Sequence, residues 1–85
     1  MYYELYLMRC YFYWTNGDET IRDDHGMDVS DRENARKMAM QAIFERRAAL
    51  VAQGAGWTLV VVDTAGAILF IFPLDAEELL EATSR

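Results

Sequence analysis

Residues 57–72 read WTLVVVDTAGAILFIF, and this stretch decides the fold. Two apolar runs, Trp57 to Val62 and Ala67 to Phe72, flank the link Asp63-Thr64-Ala65-Gly66. Each run has strand length and is dense in β-branched and aromatic side chains. The link offers a glycine for the left-handed position of a hairpin loop. Leu59, Val61, Ile68, Phe70 and Phe72 are expected on one face, with Val60, Val62, Leu69 and Ile71 on the other. Both faces are apolar, the pattern of strands buried on two sides. Pro73 stops pairing. Asp75, followed by Glu77 and Glu78, predicts the start of a short C-terminal helix through Ala82. Leu79 and Leu80 make that helix one candidate lid for the second face; a partner chain is the other.

Upstream of the ribbon, Ser30-Asp31-Arg32-Glu33 predicts a capping box, with the Ser30 hydroxyl as cap and Glu33 reaching back. The acids Asp31 and Glu33 suit the positive end of a helix dipole. The helix then runs to Ala52 or Gln53 and ends at Gly54. At about 100° per residue, Ala35, Met38, Ala39, Ala42, Ile43, Ala49 and Leu50 cluster on one broad face. Met40, Phe44 and Val51 form a second stripe nearly opposite. One sheet cannot cover both stripes.

The first hairpin is aromatic. Arg9 to Thr15 reads as a half-buried strand, and Asn16-Gly17 as a two-residue turn. That turn places Thr15 opposite Asp18 and Phe12 opposite Ile21. Cys10, Phe12, Trp14 and Ile21 are then assigned to the core, and Arg9, Tyr11 and Tyr13 to the other face. Asp23-Asp24-His25-Gly26 reads as a turn. The predicted fold class is α+β: a ββαββ antiparallel sheet packed on one long helix, with the short C-terminal helix as a further candidate element.

The chain has 85 residues, one proline and one cysteine, which predicts one domain over residues 8–85. Residues 1–7 read as an N-terminal extension, because Met8 opens the first strand. A domain of this size buries only roughly 60–65% of its unfolded surface. With 53% hydrophobic residues, it carries more apolar surface than such a core hides, which points to oligomerisation. No internal disulfide can form, and a lone buried Cys10 suits a reducing cytoplasm. No uncharged run, Ala65 to Leu74 included, reaches the ~20 residues of a membrane span. No signal-peptide pattern is present. Net charge is −6, which disfavours general nucleic-acid binding.

Candidate chemistry is sparse. His25 lies among Asp23, Asp24 and Asp28, yet no second His or Cys stands at ligand spacing. The positions ahead of Gly26 do not follow a calcium loop. Cys10 and Ser30 are the thinkable nucleophiles, and both are better used in the sheet and the helix cap. We therefore assign no catalytic residue, no metal and no cofactor. Arg32, Arg36 and Arg47 lie on one helix flank and are weak nucleic-acid candidates; the plainer reading is a solvated face paired with Glu33 or Glu45. Tyr11 and Tyr13 beside Arg9 suit either stacked bases or a packed subunit contact, and the acidic balance favours the contact.

The order of Tyr11-Phe12, Gly17, Asp23-Asp24, Gly26, Asp31, Ala35-Arg36, Trp57, Val61, Asp63 and Gly66 resembles a family of short alphaproteobacterial domains of unknown function, family 6894. The resemblance covers Met8 to Phe72. Members often carry His where Tyr13 stands. It implies no activity. Taken together, the sequence predicts a small non-enzymatic module that self-associates, as a homodimer, or meets another protein. Candidate interface residues are Met40, Phe44, Val51, Tyr11, Tyr13, Leu69 and Ile71. The alternative is a nucleic-acid-associated or antitoxin-like small regulator.

Overall fold

A computed structural model describes residues 7–54 and 56–75. The C-terminal helix expected through Ala82, and all but Leu7 of the expected extension, lie outside the described residues. The elements are β1 (Met8–Thr15), β2 (Thr20–Ile21), β3 (Met27–Val29), α1 (Arg32–Ala52), β4 (Thr58–Val62) and β5 (Ile68–Pro73). The sheet is antiparallel throughout, ordered β2-β1-β4-β5, with β3 also paired to β1. The fold is therefore α+β, with one strand more than the sequence pattern predicts.

The first hairpin departs from its expected register. Trp14 faces Ile21 and Thr15 faces Thr20, so the loop has four residues rather than two. Asn16 explains the change: its Oδ1 accepts from the Asp18 and Glu19 N–H groups at 2.9 and 2.7 Å, and its own N–H donates to the Glu19 carbonyl. The asparagine closes a wider loop with its side chain. The slip of two residues keeps Ile21 on the same face as Trp14, as the period of a strand requires. Ile21 is nevertheless 40% exposed, because among the described residues no element covers that edge.

The extra strand, β3, lies just beyond the segment read only as a turn. Cys10 faces Met27, so between this pair and Trp14–Ile21 the edge chain takes six steps to β1's four. The bulge is held by Asp23, whose carboxylate accepts from the N–H groups of Phe12 (3.1 Å), His25 (3.2 Å) and Gly26 (2.9 Å). It supplies the acceptor that an unbroken ladder would give Phe12. Gly26 is required here. Its φ is +74°, and a Cβ would stand 2.9 Å from both the Cys10 carbonyl oxygen and the Tyr11 ring.

Helix α1 begins one residue later than predicted. Asp31, not Ser30, is the cap, accepting from the Asn34 N–H at 2.7 Å, while Asn34 Oδ1 accepts from the Ser30 N–H. An ionised carboxylate is a stronger acceptor than a hydroxyl for the free amides of a first turn. Glu33 is used differently and pairs with Arg36 at 2.8 Å. Ala35, Ala39, Ile43 and Leu50 are buried, and the two alanines let the helix backbone approach the sheet. Met38 and Ala42 are half-buried, whereas Ala49, expected on the core face, is exposed. Cys10, Phe12, Trp14, Leu59 and Val61 meet the helix from the sheet, closed at one end by Trp57 and Leu74. Among the described residues the core cluster lies on the helix side of the sheet.

Candidate interaction surface

The strand register fixes what the other side presents. Tyr11, Val62 and Ile68 form one cross-strand row, and Tyr13, Val60 and Ile71 a second. Both rows alternate with Phe12, Val61 and Phe70, which belong to the helix side. No charged side chain stands in either row. Ile68 is 57% and Ile71 54% exposed; Tyr11, Tyr13 and Val60 are half-buried. Among the described residues no element lies over these rows. Cross-strand neighbours of this type pack laterally, which is how Val62 becomes buried without a second layer.

This surface unites Tyr11, Tyr13 and Ile71 from the expected interface and adds Val60, Val62 and Ile68. Leu69 is corrected. The sheet register jumps at Val61/Val62 so that Val62 faces Ile68, leaving Leu69 as the extra residue of a β-bulge. Leu69 is half-buried against the core and Ile68 crosses to the outer face. Simple alternation assigns both of them to the wrong side.

The sheet edges are poor docking sites. Leu74 donates its N–H to the Trp57 carbonyl at 2.9 Å. By antiparallel alternation, Pro73 and Ile71 then turn their backbone groups outward while Phe72 and Phe70 face β4. Pro73 has no donor, and the Leu69 carbonyl accepts from Arg32 at 2.9 Å. Ile71 alone keeps both its backbone groups for a new strand. On the opposite side β2 has two residues and the Asp23 bulge interrupts the edge. Bulges, proline and short edge strands are the means by which sheets avoid edge pairing. What remains open is the face.

The second helix stripe is only partly as expected. Phe44 (69% exposed) and Val51 (49% exposed) line, with Arg47 and Ala48, an open groove of ≈ 400 Å³. Met40 does not join them: it is half-buried against the core, since its flexible side chain folds over the flank of the helix.

The basic candidates do not gather into a patch. Arg32 is committed to Leu69 and to the Phe70 ring, 4.5 Å from its guanidinium carbon. Arg36 is paired with Glu33, and Arg47 is half-buried at the groove. Arg9 pairs with Asp28 at 3.1 Å and also donates to the His25 carbonyl. His25 itself is exposed, and the described residues contain no group of three or more side chains able to hold a metal. Burial, reinforced by the negative charge of Asp63, pushes the Cys10 thiol up. That opposes thiolate chemistry. For Asp23, partial burial is the largest effect and acts upward. The N–H donors of Gly26, Phe12 and His25 and the nearby imidazole together outweigh it, so its carboxyl lies below the usual range.

Among the described residues no helix is long and apolar enough to cross a membrane. No curated protein and no solved structure matches the chain. A family model does match it over residues 9–75, from the first strand to the end of the second hairpin. The chain thus belongs to the family described as Domain of unknown function (DUF6894).

Proposed function

We propose that this protein is a small non-enzymatic interaction module that self-associates as a homodimer through the outer face of its sheet. One observation carries the reading: Tyr11, Tyr13, Val60, Val62, Ile68 and Ile71 form two uncharged cross-strand rows with no described helix or strand above them, the Arg22 guanidinium over Tyr13 being the one side chain that reaches across. An apolar sheet face of this kind is stable when another layer lies on it. Two copies packing face to face at the usual angle of aligned sheets provide that layer by symmetry. The blunted edges favour the same geometry over strand addition. A bacterial cytoplasm, of an alphaproteobacterium as the sequence resemblance implies, suits a chain whose lone thiol is buried.

Isotope-filtered NMR on a mixture of labelled and unlabelled protein tests this directly. The expected result is intermolecular contacts between tyrosine ring protons and the methyl groups of Ile68 and Ile71. Intermolecular contacts confined to Phe44 and Val51 would replace the sheet face with the helix groove. The nucleic-acid or antitoxin-like alternative draws on Arg22, whose guanidinium lies 5.8 Å over the Tyr13 ring. Salt-dependent retention of a random oligonucleotide pool, with tyrosine signals shifting, would favour it.

A further inference from the structure

A second site lies on the other side of the sheet. Helix α1 packs on β3 and β4, and both residues of β2, Thr20 and Ile21, stay exposed, so the inner face of the sheet opens at that edge. The opening is a cleft of ≈ 250 Å³ between Met38, Ala42 and Arg46, one row along the helix, and the strands. Phe12 and Trp14 form its floor. Ala42 at the middle of the helical row makes the space. Ile21 and Met27, exposed although they belong to the inner face, form the far wall.

The polar groups at the rim are of one usable sign. Arg46 lies 5.9 Å over the Trp14 ring; Arg22 also lines the cleft, but its guanidinium lies 5.8 Å from the Tyr13 ring on the opposite face of the sheet. Neither has a carboxylate partner within 4.0 Å among the described residues. Asp23 also reaches the lining, but its carboxylate is engaged by three backbone N–H groups. Its charge is largely answered from within the fold. Apolar walls with a few convergent polar groups are the ordinary composition of a small-molecule site. At this volume the cleft is smaller than the roughly 300–1,000 Å³ that holds drug-sized ligands.

We infer that this cleft binds a small amphipathic carboxylate, its aromatic or aliphatic body on Phe12 and Trp14 and its carboxylate on Arg46. Guanidinium forks suit carboxylates in geometry and charge. The methionines on two walls adapt to the shape of the body.

Phenylbutyrate, its neutral amide and the corresponding amine are suitable probes, with the methyl signals of Met27 and Met38 and the Trp14 indole signal read by NMR. Phenylbutyrate is expected to shift these signals saturably and to bind roughly tenfold tighter than the amide, with the amine weaker still. Arg46→Gln should erase the difference between acid and amide while leaving the amide unchanged; Arg22→Gln should leave the difference in place. Equal affinity for acid and amide, shifts confined to Tyr13 and Ile71 on the opposite face, or an unaltered preference in Arg46→Gln would overturn the assignment.

Discussion

Arg32 at the start of the helix and Phe70 in the last strand are locked together: the guanidinium carbon lies 4.5 Å from the ring centroid, and the same side chain donates to the Leu69 carbonyl. This joins α1 to β5 at the point where the bulge leaves a backbone acceptor unpaired. The pairing fixes the bulge, and the bulge sends Ile68 to the outer face.

Arg32→Ala should therefore cost about 1–2 kcal/mol, one hydrogen bond and one cation–π contact at a partly exposed site. Urea unfolding measures it. Arg32→Lys restores the charge without the planar fork and should recover only part of the loss. The alanine variant also exposes the Leu69 carbonyl on an edge strand, so it should aggregate faster at equal concentration. A variant as stable and as soluble as the parent would show that the bulge holds itself.

Asp23 makes a pH-dependent contribution. Its folded carboxyl lies below the ordinary aspartate value, so its stabilisation is fully present above that ordinary value. It is lost as pH falls through the lower, folded value. Asp23→Ala should cost about 1–3 kcal/mol at neutral pH by leaving the Phe12 N–H without its acceptor. The gap between parent and variant should narrow in unfolding experiments as pH falls below about 4, the ordinary aspartate range; a gap constant with pH would mean the charge plays no part.

Gly26 and Gly17 separate crowding from backbone conformation. Both have positive φ, +74° and +96°, but a Cβ at Gly26 meets backbone at 2.9 Å and one at Gly17 meets nothing within 4 Å. Gly17→Ala should cost about 1–2 kcal/mol, the ordinary penalty of a left-handed alanine. Gly26→Ala should cost clearly more, because Cys10 must move. Equal melting temperatures for the two variants would refute the close approach at Gly26.

The second hairpin, the long helix and the inner face of β1 were legible in the sequence because hydrophobic periodicity reports them directly. Cys10, Phe12 and Trp14 alternate, and Ala35, Ala39 and Ile43 recur every four residues. What escaped depended on single side chains used locally. Asn16 signals a tight turn by its neighbour Gly17, yet it closes a four-residue loop with its own amide. Met27-Asp28-Val29 is too short and too polar to announce a strand, and its pairing rests on the Asp23 bridge thirteen or more positions from its partners in β1. The cap moved to Asp31 because two adjacent residues are both competent. Leu69 was placed on the outer face by a period of two that a bulge interrupts. The cleft beside Arg46 has no sequence signature, since it arises from where the helix stops covering the sheet.

Self-association through the two uncharged rows of the outer face is tested most directly by sedimentation equilibrium at about 50 µM. The measured mass should approach twice the chain's 9.8 kDa, and Ile71→Glu should return it to the monomer value without unfolding the protein. A mass of 9.8 kDa for the parent across the whole concentration range would contradict the central claim.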